Sequence, residues 1–368
     1  LILFLCDWYQ GRRIDKKTII EKIPIFVLVI SIAMVTYVEN ARYPIKDYFQ
    51  AVLLWTWSFA FYIKKFICPD VLIPIYDTPR PISLMNPTYL SSVVIFLFSG
   101  FLLFYMRRFK WFFLSFGLYF LSIFFLLRFD YGFDVHPVAD RWMYLPALGF
   151  CVLIPFLIDF ILKKVKRYKT FAKIFFVCVL LLLTVLMALK TFWQCKIWKD
   201  DYALWSYEMQ YNVNTAVAPN NLCLALELRQ RRAPYLMDLS SFREKVQQDP
   251  DYLVRIKPRS NFKNIHEIDG IENLAEKQYI LLLKALSSES LSAEPIGNMG
   301  VLYGRLGLSE QSIEYLKIAI RSNKMYMKGY YDLANLYAKL GRDQESIDEF
   351  NTALKIKRKD PFESSFVL

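Results

Sequence analysis

The feature that most constrains this chain is a series of apolar runs near residues 23 to 39, 88 to 106, 111 to 127, 143 to 162 and 174 to 192. Each is long enough, or nearly so, to cross a hydrocarbon core of about 30 Å as a helix. The expected front half is a polytopic transmembrane helix bundle of about five spans, over residues 1–195, with residues 1 to 6 as an amino-terminal stub. Composition agrees, since 55% of the residues are hydrophobic and the mean hydropathy is +0.25, more apolar than an ordinary soluble protein.

Charge orients these spans. Up to residue 195 there are 22 Lys and Arg against 11 Asp and Glu, whereas the remainder holds 24 against 23. A basic excess confined to the apolar half is not the continuous basic face of a nucleic-acid binder, so no nucleic-acid partner is expected. Cytoplasmic loops account for it. Arg12, Arg13, Lys16 and Lys17, then Arg107, Arg108 and Lys110, then Lys163, Lys164, Lys166, Arg167, Lys169 and Lys173 form three clusters. With these on the cytoplasmic side, the loops at 40 to 87 and 128 to 142 and everything after 193 lie on the other. The aromatic stretch "AVLLWTWSFAFYIKKF" at 51 to 66 reads as a helix lying in the membrane interface. The opening "LILFLCDWYQGRR" reads as the tail of an apolar helix entering a basic loop, with an amino-terminal part expected upstream of Leu1. A signal peptide is not expected, because the basic residues follow the apolar run.

The six cysteines form no CxxC pair and there are only two histidines, so no metal or cofactor is expected and the cysteines read as small apolar residues.

After residue 195 the grammar changes. "LYGRLGLSEQSIEYLKIAI" from Leu302 and "LYAKLGRDQESIDEFNTAL" from Leu336 match at an offset of 34 residues. That is the tetratricopeptide period, so residues 196–368 are expected to form a non-cytoplasmic tetratricopeptide-repeat α-solenoid. In register stand Tyr303 and Tyr337 as wedges, Gly307 and Gly341 at the tight turns, and Ala319 and Ala353 where helices approach closely. Leu302, Leu306, Leu336 and Leu340 are expected to be buried beside the tyrosines. Ser312 and Ser346 stand where the repeat usually has alanine and are expected to weaken packing. A third, degenerate unit is expected from "PNNLCLALELRQ" at Pro219 and "IENLAEKQYILLLKAL" at Ile271, separated by an insertion or flexible loop near 231–270.

Taken in order, "LFLCDWYQ", "EKIPIF", "CPDVLIPIY", "ADRWMYLPALGF" and the following repeats resemble the membrane-embedded tetratricopeptide proteins of the protein O-mannosyltransferase type, whose membrane half is GT-C-like. Trp142 replaces the first of two tyrosines usual in the fourth motif, and the opening lacks the tyrosine, tryptophan and proline usual after the aspartate. The resemblance implies a sugar donor of the polyprenyl- or dolichyl-phosphate type, a polypeptide acceptor bound by the repeats, and chemistry on the non-cytoplasmic face. It also implies an acidic catalytic residue in the first non-cytoplasmic loop, expected upstream of Leu1, so no catalytic residue is assigned within this chain. The protein would sit in a bacterial inner membrane with periplasmic repeats, or in the endoplasmic reticulum membrane with lumenal repeats. A non-catalytic, membrane-anchored scaffold that assembles partner proteins is the alternative.

Asp140 and Arg141 stand at the non-cytoplasmic mouth of the span that begins near Tyr144. Arginine there can pair bidentately with a phosphate at the lipid surface, Asp140 orienting the guanidinium or facing an acceptor. Equally, Arg141 and Trp142 can snorkel to lipid headgroups while Asp140 neutralises the arginine. His136 and Arg128 in the same loop join the candidate donor-phosphate group, His136 as a proton carrier near neutral pH. Arg128 stands with Asp130 and Asp134. Asp77 and Arg80, in the proline-rich loop at 70 to 87, share that side of the membrane. The topology predicts that cysteines placed at Ser322 and Lys166 in a cysteine-free background react with an impermeant probe from opposite sides; labelling of both from one side overturns it.

Overall fold

A computed structural model describes residues 1–40, 47–124, 138–164, 169–211, 215–232, 239–249, 251–287 and 292–359. Among these the regular elements are all helical. The chain divides into two compact units, Leu1–Gln194 and Cys195–Leu368.

Unit 1 contains α1 (Ile2–Tyr9), α2 (Lys16–Ile20), α3 (Ile23–Asn40), α4 (Tyr48–Ile67), α5 (Pro87–Tyr105), α6 (Lys110–Phe124), a 3-10 turn at Asp140–Met143, α7 (Ala147–Lys164) and α8 (Lys169–Ile197). Its interior is built on α4. Asp47 caps this helix by accepting from the backbone amides of Phe49 and Gln50. Ten of its twenty residues are buried, and Leu53, Leu54, Trp57, Phe59 and Tyr62 meet Tyr89 of α5 and Tyr119 and Ile123 of α6 in one cluster. The sequence reading has this segment lying in the interface; in the structure its aromatic residues, each able to bury a large area, also find cover from α5 and α6.

The helices around α4 differ in kind. Pro87–Tyr105 and Thr170–Ile197 are long and apolar enough to cross a membrane, with mean hydropathy 1.8 and 2.7 over their best windows and little or none of those windows buried. Asn86 caps α5 and Pro87 occupies its first turn, where a missing N–H costs nothing. α6 is a shorter apolar helix. α7 packs on it through Gly149, where an added Cβ would lie 2.5 Å from the Ser115 carbonyl oxygen and 2.7 Å from the Tyr119 nitrogen. Tyr119 in turn donates to the Phe59 carbonyl at 2.7 Å, joining α6 to α4.

Unit 2 contains α9 (Asp201–Glu208), α10 (Val217–Arg232), α11 (Leu239–Gln248), α12 (Tyr252–Ile256), α13 (Leu274–Leu286), α14 (Ala293–Leu306), α15 (Ser309–Ser322), α16 (Met327–Lys339) and α17 (Asp343–Lys359). Helices pair as α10 with α13, α14 with α15, and α16 with α17. Gly307 and Gly341 adopt φ of 85° and 69°, the left-handed region that a β-carbon disfavours. Tyr303 wedges between Tyr279 and Tyr315, with ring centroids 6.2 and 5.1 Å away. Ala319 is fully buried against Ala293, Ile296 and Tyr326. The degenerate unit forms from α10 and α13, with Ala285 buried.

Three expectations change here. Leu340 is 42% exposed while its counterpart Leu306 is fully buried; α11 packs against α14 and so covers the earlier turn. Ser312 is buried, and its hydroxyl donates to the Gly300 carbonyl at 2.7 Å. A serine that satisfies itself across the helix pair offsets much of the packing it gives up. The stretch near 231–270 is not merely a loop, because α11, α12 and two 3-10 turns deliver Phe242, Val246, Ile256, Phe262, Ile265 and Ile268 to the unit's main core.

Gly149→Ala should destabilise unit 1 by about 1–3 kcal/mol, since the new methyl meets backbone that cannot rotate away. Thermal unfolding in detergent reads this, and an unchanged midpoint would contradict the α6–α7 contact.

Candidate functional site

The site in unit 1 grows from the end of α4. Lys64 and Lys65 occupy its last turn, favourable beside the helix's carbonyl end. The Lys65 stem lies against the rings of Phe61 and Tyr76, its Nζ 5.6 and 5.0 Å from their centroids. That ammonium reaches Asp70 Oδ1 at 2.8 Å and donates to the Val71 carbonyl. The Lys65 hydrogen bond holds the Asp70 carboxyl down at about 2.

The following loop is fixed by groups from several helices. Lys190 of α8 donates to the Asp70 carbonyl and Gln194 to the Leu72 carbonyl, each at 2.7 Å. Tyr89 of α5 donates to the Pro79 carbonyl at 2.8 Å. The loop thereby presents Tyr76, whose hydroxyl lies 2.9 and 2.8 Å from Asp140 Oδ1 and Oδ2, 2.9 Å from the Val71 carbonyl, and accepts from the Ile73 amide at 3.3 Å.

Asp140 opens the 3-10 turn, which is anchored from beneath. Val138 and Ala139 are buried, and the Ala139 amide donates to the Tyr62 hydroxyl of α4 at 3.2 Å. Burial raises the Asp140 carboxyl above its ordinary pKa, against the opposing pull of the Tyr76 hydrogen bond and the Lys65 charge. Burial likewise raises the Tyr76 phenol, and the Asp140 charge adds to the effect.

Arg141 points elsewhere. It is exposed, with its guanidinium carbon 5.6 Å from the centroid of Trp142. Asp140 and Arg141 form no ion pair with each other, so the expected orientation or neutralisation of the arginine by the aspartate is corrected. Successive side chains in a 3-10 turn diverge by about a third of a revolution, and Tyr76 claims the carboxylate. An accessible cation therefore stands beside a carboxylate that the Tyr76 hydroxyl engages. Asp77 and Arg80 are exposed on the same loop as Tyr76. Arg128, Asp130, Asp134 and His136 lie outside the described residues. Among the described residues, no three His, Cys, Asp or Glu side chains converge to hold a metal ion.

Tyr76, Lys65 and Lys190 were not among the sequence candidates. "CPDVLIPIY" carries Tyr76, but nothing in its spacing announces a partner 64 positions away.

Unit 2 offers a second place for recognition, a cleft of about 180 Å³ lined by residues of α10, α13, α14 and α16. Residues 328–360, covering α16 and α17, match the family model of the tetratricopeptide repeat. This part of the chain is thus a tetratricopeptide repeat by sequence as well as by its paired helices. A 90-residue stretch is 32% identical to the Protein O-mannosyl-transferase TMTC3 of Homo sapiens. It makes up 24% of this chain and spans 9% of that protein's length. Two solved crystal structures of MamA are also similar. One shares 16% identity over 43% of this chain and 87% of its own, and the other 15% over 45% and 85%, both with a TM-score of 0.24.

Tyr76→Phe should leave Asp140 partly buried without its hydroxyl donor, at a cost of about 1–3 kcal/mol. Limited proteolysis should then cut the 68–86 loop faster than in wild type; identical cleavage would show that the hydrogen bond does not hold the loop.

Proposed function

We propose that this chain is the carboxyl-terminal part of a multi-pass membrane glycosyltransferase-like protein. It transfers a sugar from a polyprenyl- or dolichyl-phosphate donor to hydroxyls of a polypeptide that the tetratricopeptide repeats bind. The observation that carries the reading is the exposed guanidinium of Arg141, held at the start of an apolar helix by a turn anchored through the buried Val138 and Ala139, while its neighbouring carboxylate is engaged by Tyr76. A planar, permanently charged fork in that position suits a phosphate carried on a lipid. Lys65, Tyr76 and Asp140 act as positioning residues, fixing the turn so that Arg141 meets the headgroup without reorganisation.

Support comes from three directions. α5 and α8 have the length and hydropathy of membrane spans. The motif "ADRWMYLPALGF" resembles the corresponding stretch of the O-mannosyltransferase type, and a relative carrying that activity in its name shares 32% identity over part of the chain. Tetratricopeptide repeats bind polypeptides on extended surfaces. In this arrangement the repeats and the Arg141 loop share the non-cytoplasmic side.

In the full-length protein, Arg141→Ala should reduce transfer from the lipid-phosphate donor roughly tenfold to hundredfold while leaving membrane insertion intact, as expected for a charged hydrogen bond worth about 1.5–3 kcal/mol. Arg141→Lys should restore only part of it, because an ammonium lacks the fork. An interfacial anchor behaves otherwise, since lysine snorkels as well as arginine. Full transfer by the alanine variant overturns the donor site. A full-length wild-type protein that inserts but transfers no sugar points to the scaffold alternative.

A further inference from the structure

The unit 2 cleft contains charges that do not all find partners. Arg305 of α14 is paired with Glu227 of α10. Lys328 of α16 donates to Asn298 Oδ1 at 3.0 Å, and the Asn298 amide donates to Asn220 Oδ1 at 2.8 Å. Both cations are therefore engaged. Asp332, one turn beyond Lys328, is not: its Oδ2 is shielded from water and meets no hydrogen-bond donor among the described residues.

A shielded carboxylate oxygen without a donor is destabilising unless a guest supplies one. The surroundings are consistent with that. Burial pushes the Asp332 carboxyl up to about 6, with Lys328 and Arg305 pulling down and Glu227 pushing up. Cys223 of α10 also lines the cleft, and burial raises its thiol to about 12, so it stays neutral. Gln278 and Asn298 are uncharged. Tyr326, just before α16, senses both Asp332 and Glu294, and its phenol is raised by burial. The volume of about 180 Å³ suits one long side chain and excludes a folded partner.

We propose that this cleft receives a lysine or arginine side chain of a bound polypeptide, the guest cation seating on Asp332. The inference rests on the reading of the repeats as a polypeptide-binding surface and adds the residue class they select. A cation is favoured over a neutral donor because a charge-assisted hydrogen bond is about twice as strong as a neutral one. An acidic guest would meet the carboxylates of Asp332 and Glu227 in the same cleft.

The test is an array of nine-residue peptides, random at every position, probed with the full chain in detergent. The expected result near pH 7.5 is enrichment of Lys and Arg at one position. Asp332→Asn should abolish it, and near pH 5 it should fall at least fivefold as the carboxyl gains its proton. A second measurement covers folding. Because the folded pKa is raised, the carboxyl's contribution is full below the ordinary carboxylate pKa and is lost as pH rises through about 6. Asp332→Asn should therefore melt higher than wild type near pH 7.5 and alike near pH 4. Equal residue preference in wild type and variant, or selection of acidic residues, overturns the inference while leaving peptide binding by the repeats intact. Retention of no peptide by wild type overturns both.

Discussion

Apolar surface that no single helix can cover on its own is the constraint from which the rest of this structure follows. In unit 2 the cover comes from protein: α14 lies on α15 and α16 on α17, and Leu302, Leu306, Leu333 and Tyr337 disappear between them. In unit 1 protein covers α4 and the faces of α5 and α6 that meet it, where Tyr89, Tyr119 and Ile123 are buried. Along α8, Leu181, Leu182, Val185 and Leu189 remain between 54 and 62% exposed. One physical effect, burial of apolar area from water, thus works through protein contacts in one unit and leaves the other with faces that suit a hydrocarbon surrounding.

That division also explains where polar groups gather. Side chains of α4, α5 and α8 come together at the loop of Tyr76, where Lys65, Lys190, Gln194 and Tyr89 each donate to a loop carbonyl that no helix or strand would otherwise satisfy. The loop is stiff because its backbone acceptors are occupied by side chains from helices. Asp140 adds the connection to the turn before α7, and that turn presents Arg141 outward. The placement of Arg141 follows from how side chains of three helices hold this loop.

The repeat unit shows the same economy with a different outcome. Its polar residues inside, Ser312, Asn298, Asn220 and Lys328, bond to one another or to backbone. Asp332 Oδ2 departs from this pattern, as does the nearby Tyr326 hydroxyl, and a shielded polar atom without a partner is the kind of local inconsistency from which a binding role is inferred.

Period and composition were legible from the residues alone. A 34-residue offset determined the paired helices, because each position in the repeat has one steric role: only glycine accepts the left-handed turns at Gly307 and Gly341, and only a small residue fits at Ala319. Length and apolarity likewise marked α5 and α8, since crossing a bilayer is a one-dimensional requirement. What the sequence could not determine was which groups meet across distance. The short apolar length, aromatic richness and terminal lysines of α4 suit an interface helix, but they cannot say how much of it protein covers. Asp140 was expected to serve Arg141 because they are neighbours in the chain, yet its partner is Tyr76, brought 64 positions nearer by the fold. Local steric and length requirements are written in consecutive residues, whereas the pairing of a carboxylate or the cleft around Asp332 exists only once separate helices have been packed together.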